Sequence, residues 1–394
     1  MNGIKEKIAA AARQLGNEAT VGFPEAVVVE AGAQSRVAPF MKERGYGRPL
    51  LVADEHTLAA AGRTVAAGLA GAGFPENATL VKPNAQGDVV ADEASIVQVI
   101  LDLQKSGADA IVVAGSGTLH DIARYAAYTT RLPFVSVPTA ASVDGFASRG
   151  APILIRGEKI TVQAIGPTAI FADLAVMSRA PAAVTAAGFA DMLGKYTSLF
   201  DWKFGSLTAG EPYNEAVAGI TEQALRDCVE HADLIGRRTE DGIRVLTEAL
   251  IDSGLAMLVF GQSHPASGAE HHLSHYWEME YIRTGKRQLL HGAKVGAACA
   301  EIAGLYRGLE MGEYAPNEAA AAELRGALRD IPDPDALRGL LRRVGGPSSV
   351  SELGVSGELL ARSLREAHRV RPNRFTLLRA YNEKKAAGQQ KPVR

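Results

Sequence analysis

Over the first 178 residues, short apolar runs alternate with amphipathic stretches of helical period. Strands are predicted at 26–30, 49–53, 78–81, 110–114, 134–137 and 169–172, the second ending at Asp54 and the last at Asp173. Between them, helical spacing covers 32–45, 58–71, 92–106 (closed by Gly107) and 119–130. Short, wholly apolar strands separated by such helices imply βαβ units and a parallel sheet buried on both faces. Residues 152–162 interrupt the alternation with a β-hairpin pattern. From Arg179 the pattern becomes helix after helix, at 221–235, 242–260, 295–305, 317–331, 335–344 and 356–370. The polar end, 383–394, reads as frayed. The expected architecture is an α/β domain with a Rossmann-like parallel sheet over 1–178 and an all-α domain over 179–394. A cleft between the two is the usual place for a ligand.

Composition narrows the function. Lys+Arg of 42 against Asp+Glu of 44 leaves a net charge of −2, so no global field favours nucleic acid or anionic lipid. The two cysteines, Cys228 and Cys299, fall in separate helical patterns, which argues against a disulfide framework and a cysteine metal site. The start of the chain reads as a charged amphipathic helix rather than a signal peptide. No apolar run is long enough to span a bilayer, and a cytoplasmic protein is expected.

Chemistry concentrates in four places. Residues 263–292 hold five of the nine histidines. On a helix, His271 and His275 share a face at i,i+4, and His272 and His275 at i,i+3. With His291 beyond a turn, this suits a divalent metal, although a polar helix merely rich in histidine has the same spacing. Asp191, in the small apolar setting of 187–196, is either a solvent-facing or capping acid or a carboxylate ligand completing a set with His271 and His291. Three protein ligands leave room for a substrate oxygen, as catalytic metals require. The turn Gly115-Ser116-Gly117-Thr118-Leu119-His120-Asp121 joins a strand to a helix whose N-terminal N–H groups could receive a pyrophosphate. His120 stands where a GxGxxG fingerprint has its third glycine, a plain strand-to-helix turn explains the glycines as well, and Asp121 also suits the helix dipole. The loop 137–148 offers Thr139, Ser142, Asp144 and Ser148 at the same sheet edge, as hydrogen-bonding groups or as helix caps.

GSGTLHD, FVSVPTAASVDGFAS, GFADMLGKYTSLFDW, SGAEHHLSHYWE and LLHGAKVG, in this order and across both halves, resemble the sn-glycerol-1-phosphate dehydrogenases. The similarity is to their bacterial, AraM-type branch, within the iron-containing alcohol dehydrogenase-like superfamily. The resemblance implies that the first domain binds the dinucleotide and the second binds metal and substrate. It places NAD(H) or NADP(H) across Gly115, Gly117, Thr118, Leu119, His120 and Asp121, with Thr139, Ser142 and Ser148. Asp54, after the second strand, is positioned to accept from the adenosine ribose, which would favour NAD. One divalent metal, zinc or nickel ahead of iron, is implied on Asp191, His271 and His291. Asp144, Asp191 and His275 would bind substrate, His275 and Asp191 being catalytic. His272 becomes a flanking residue, and His264 receives no role. A homodimer acting on a small phosphorylated substrate, without nucleic acid or membrane insertion, completes the implication.

The implied reaction is interconversion of dihydroxyacetone phosphate and sn-glycerol 1-phosphate by hydride transfer, with the metal polarising the substrate oxygen. Lys195, Lys203, Arg283 and Lys294 are phosphate candidates by neighbourhood alone. Two other readings stay open: an NAD-dependent polyol dehydrogenase on the same scaffold, and a cofactor-binding sensor without turnover.

Overall fold

The structure, a computed structural model, describes residues 10–16 and 22–389. Its frame is a six-stranded, all-parallel sheet in the order β1-β8-β5-β4-β2-β3. The strands are β1 (Ala26–Glu30), β2 (Pro49–Ala53), β3 (Ala78–Leu80), β4 (Ala110–Gly115), β5 (Phe134–Pro138) and β8 (Ala169–Asp173). A separate antiparallel hairpin, β6 (Gly150–Ile155) and β7 (Glu158–Gln163), lies between β5 and β8 in the chain. The helices of this half are α1 (Val37–Glu43), α2 (residues 55–71), α3 (Glu93–Ser106) and α4 (Gly117–Thr130).

Strand alternation sorts the core. Leu51, Val112, Val135 and Phe171 face Val37, Phe40 and Met41 of α1 and Val65 of α2. Leu50, Val52, Ile111, Val113 and Phe134 face Ile96 and Val99 of α3 and Ile122 of α4. At the β1–β8 end this second face is covered from the other half of the chain. Val27, Val29 and Ile170 share a buried cluster with Leu255, Leu258 and Val259 of α8 (Glu240–Phe260). The two halves therefore hold one core in common, and burial of that sheet end depends on α8.

Besides the short helices Leu174–Met177 and Ala232–Gly236, the longer ones are α5 (Ala182–Leu193), α6 (Lys195–Ala209), α7 (Glu215–Glu230), α9 (Ala269–Arg283), α10 (His291–Arg307), α11 (Glu318–Arg329), α12 (Pro334–Arg343), α13 (Gly357–Glu366) and α14 (Leu377–Gln389). Capping chemistry sets several ends. Asp92 caps α3, and Gly107 closes it in the left-handed conformation; Asn214, Thr239 and Ser356 cap α7, α8 and α13.

Several boundaries differ from the periodic reading. The helix expected from Leu58 starts at Glu55, because the Asp54 carboxylate accepts from the Thr57 N–H and the Thr57 hydroxyl accepts from the Asp54 N–H. The stretch 221–235 divides at His231. Helix α10 begins four residues before 295, at His291 itself. The segment expected to fray is helical as far as Gln389, with 390–394 outside the described residues. Residues 10–14 of the expected N-terminal helix are helical and 15–16 form a turn, with 1–9 and 17–18 likewise outside. Among the described residues no helix is long and apolar enough to cross a membrane.

Candidate active site

The strand order reverses between β2 and β4, so the turns leaving β4 and β5 open at one edge of the sheet. Above that edge, between the two halves of the chain, lies a cavity of about 390 Å³. The β4–α4 turn contributes Ser116, Gly117, Thr118 and Asp121, and the loop after β5 contributes Ser142, Asp144 and Ser148. Helices α9 and α10 contribute His271, His275 and His291.

Three elements bring the ligand candidates together. Helix α5 carries Asp191, α9 carries His271, and α10 begins with His291. Two glycines make the approach possible. A Cβ on Gly188 would overlap the Ala141 carbonyl oxygen, and one on Gly292 the Ala187 carbonyl oxygen. Helix α5 is thus pressed against the loop bearing Asp144 on one side and against the start of α10 on the other.

One nitrogen from each of His271 and His291 and an oxygen of Asp191 lie within 4.8 Å of one another. Asp191 Oδ1 is 3.6 Å from His271 Nε2 and 4.0 Å from His291 Nε2. That oxygen is buried without a hydrogen-bond partner, while Oδ2 accepts from the Asp144 backbone N–H at 3.1 Å. A buried, unsatisfied carboxylate oxygen is costly unless a cation faces it. His271 is oriented from behind. Its Nδ1 lies 2.7 Å from Glu270 Oε1, which also accepts from the Gly268 N–H, so Nδ1 donates to Glu270 and Nε2 is the nitrogen turned to Asp191, where a metal would replace any proton it carries. The donor set and its orientation fit a divalent metal.

The charges agree. Lys195 Nζ lies 2.8 Å from Asp144 Oδ2 and 3.5 Å from Asp191 Oδ1, all three side chains being buried. Burial opposes ionisation of Asp191, but Lys195, His271 and His291 outweigh it and hold the carboxyl well below the usual range. Burial and the neighbouring Asp191 push Asp144 upward. Two carboxylates against one ammonium leave the site open to positive charge.

Other side chains take different places. His275 lines the cavity, and burial, with Lys159 and Arg371 nearby, pushes its pKa well below the ordinary imidazole value. His272 is fully buried and neither ring nitrogen has a partner. His264 packs against Trp202 and Phe260. Gly115, Leu119, His120 and Thr139 stand behind the cavity surface. His120 bridges the Ser116 carbonyl at 2.8 Å and the Ser136 hydroxyl at 2.7 Å, and burial lowers it to about 3. The Thr139 N–H donates to the Gly115 carbonyl, tying the two loops together. Asp54 caps α2 and is not part of the cavity wall.

Three basic residues considered for a phosphate are otherwise engaged. Lys195 serves Asp144 and Asp191, Lys203 pairs with Glu323, and Arg283 pairs with Glu280 at the surface. Lys294 does line the cavity, where it shares Glu278 with Lys159 of the hairpin. Several functional neighbours were missed. Glu270 precedes His271 and reads as an ordinary first-turn acid. Arg124, on the buried face of α4, donates to Asp121 and to the Gly145, Phe146 and Gly150 carbonyls, anchoring the loop after β5. An arginine at an apolar position of a periodic helix was the available signal.

The sequence has close relatives over nearly its full length. A glycerol-1-phosphate dehydrogenase (NAD(P)+) of Geobacillus stearothermophilus is 45% identical, covering 97% of this chain and 99% of its own. The Bacillus subtilis protein of that name is 41% identical over 98% of both chains. The chain belongs to the glycerol-1-phosphate dehydrogenase family. An archaeal member from Methanosarcina acetivorans is 30% identical over 90% of each chain. A family model described as iron-containing alcohol dehydrogenase matches residues 28–181. Among solved structures, a 1,3-propanediol oxidoreductase superposes with a TM-score of 0.70 at 20% identity, covering 93% of this chain and 97% of its own. A glycerol dehydrogenase from Schizosaccharomyces pombe gives 0.68 at 18%, covering 94% and 93%. These establish the α/β-plus-helical fold of the glycerol-1-phosphate dehydrogenase family, an NAD(P)-linked oxidoreductase family.

Proposed function

We propose that the protein interconverts dihydroxyacetone phosphate and sn-glycerol 1-phosphate with NAD(H), using one divalent metal, zinc or nickel. The observation that carries this reading is Asp191 Oδ1, which has no hydrogen bond and faces two imidazoles in a cavity whose opposite wall is a strand–glycine–helix turn. Asp191, His271 and His291 would hold the cation. A bound cation would polarise the substrate carbon–oxygen bond, and a nicotinamide cofactor would supply or accept the hydride.

The chain's own residues do the positioning. The N–H groups opening α4 at Gly117 and Thr118 receive the cofactor pyrophosphate, and Ser142 and Ser148 hydrogen-bond the nicotinamide end. Asp144, fixed by Lys195 and by a 2.8 Å hydrogen bond from the Ser253 hydroxyl, accepts from a substrate hydroxyl. His275, kept neutral by burial, holds the substrate oxygen and relays its proton rather than storing one. Asp54 stands at the strand-order reversal, where its position after β2 supports a ribose contact and hence NAD.

Steady-state comparison of dihydroxyacetone phosphate with unphosphorylated dihydroxyacetone tests the assignment. A preference for the phosphorylated ketone is expected, and a preference for the free ketone would move the protein to the polyol dehydrogenases of the same fold.

A further inference from the structure

Four cationic side chains line the cavity: Arg149, Lys159, Lys294 and Arg371. Lys159 and Lys294 share one carboxylate, Glu278, at 2.8 and 2.9 Å. Among the described residues Arg149 and Arg371 have no carboxylate partner. A guanidinium at a cavity wall with neutral partners only is set up to meet an anion that arrives with a ligand.

Arg149 follows Ser148 on the wall formed by the α/β half, beside the loops read as holding the cofactor. Arg371 belongs to the opposite wall. It follows the single 3-10 turn Ala367–Val370 after α13, a turn packed against α9, the helix of His271 and His275. Its Nη1 donates to the hydroxyls of Ser263 at 3.1 Å and Ser267 at 2.9 Å, both in the segment leading into α9. The hydroxyls aim the guanidinium without neutralising it. Nearby Arg374 differs in this respect, since Glu211 meets its Nη1 at 2.6 Å. Arg371 therefore sits on the metal-and-histidine side of the cavity, carries an uncompensated charge and has a planar fork suited to phosphate oxygens.

Building on the function proposed above, we infer that Arg371, aimed by Ser263 and Ser267, binds the phosphate of the substrate and sets the preference for phosphorylated over free trioses. Lys159 and Lys294, each held at Glu278, contribute to the local field rather than to this contact. An uncharged polyol would leave Arg371 facing the cavity without a counter-charge, which is the penalty that discriminates against it.

The test is Arg371→Gln in metal-loaded, full-length protein, with dihydroxyacetone phosphate and dihydroxyacetone as alternative substrates and inorganic phosphate as competitive inhibitor. Loss of one partner of such a charged contact should raise KM for the phosphorylated ketone by on the order of 100-fold, with a much smaller change for the free ketone. Inhibition by inorganic phosphate should weaken in parallel, and Arg371→Lys should recover part of both. Equal losses on the two ketones, or an unchanged KM and phosphate inhibition, would overturn the inference. If the unaltered protein already prefers free dihydroxyacetone, the functional reading fails instead, and the two failures are thereby separated. Should Arg371→Gln not fold, the same comparison is made with the paired Ser263→Ala and Ser267→Ala changes. These should raise KM for the phosphorylated ketone alone, and no selective rise would again overturn the inference.

Discussion

Asp191 Oδ1 lies 3.6 Å from His271 Nε2, while the other ring nitrogen of His271, Nδ1, lies 2.7 Å from Glu270 Oε1. A buried carboxylate facing two imidazoles is set up to hold a cation, and Asp191→Asn removes the charge that would hold it. Metal content after dialysis should fall to background and kcat/KM by about 1000-fold or more, since several kcal/mol of charge stabilisation go with the metal. Folding should suffer less than the roughly 3–5 kcal/mol typical of a broken buried ion pair, because Lys195 keeps its 2.8 Å contact with Asp144. Retention of a full metal equivalent by this variant would refute the ligand assignment.

Glu270 acts through His271. Glu270→Gln keeps an acceptor oxygen but loses its charge, so metal affinity measured by chelator competition should drop about 10- to 100-fold. The fold should hold, because the amide can still receive the Gly268 N–H. An unchanged metal Kd would mean that the carboxylate does not orient the ligand.

His271 and His272 are adjacent but oppositely placed. His271→Ala should abolish both metal binding and turnover. His272→Leu should leave metal content intact and cost little stability, since neither ring nitrogen of His272 has a partner to lose. Loss of metal from the His272 variant with retention in the His271 variant would reverse the assignment.

His120 makes stability depend on pH. Its folded pKa is about 3 against an ordinary value of 6.5, with burial as the main cause. The unfolded chain therefore binds one more proton between those values, so this contribution is complete above about pH 6.5 and is lost as pH falls toward 3. The slope from one such proton is about 1.4 kcal/mol per pH unit. His120→Gln should flatten the dependence of urea-unfolding free energy on pH by that amount within this window. An identical slope in both proteins would show that His120 is not the group responsible.

Much of this architecture was legible because βαβ units write strong periodic signals, as at Leu50-Leu51-Val52 and at Val112-Val113. The sequence also offered Asp191, His271 and His291 as a possible set, but spacing left His271 and His272 equivalent toward His275; the family resemblance favoured His271, and the packing of α9 turns that residue to Asp191. Residues whose roles depend on distant partners were not legible. Lys195 looked like a phosphate ligand until two carboxylates, one 51 residues earlier in the chain, met its ammonium. Arg371 carried no signal at all, because its meaning lies in the carboxylate it lacks.

On the function proposed here, the cavity performs metal-dependent, nicotinamide-linked reduction of a phosphorylated ketone. The most direct test is NADH oxidation with dihydroxyacetone phosphate in chelator-treated protein, before and after zinc or nickel is restored. No turnover before and robust turnover after, with sn-glycerol 1-phosphate as product, is the predicted result. Failure of metal-loaded protein to oxidise NADH, or full activity in the presence of chelator, would contradict it.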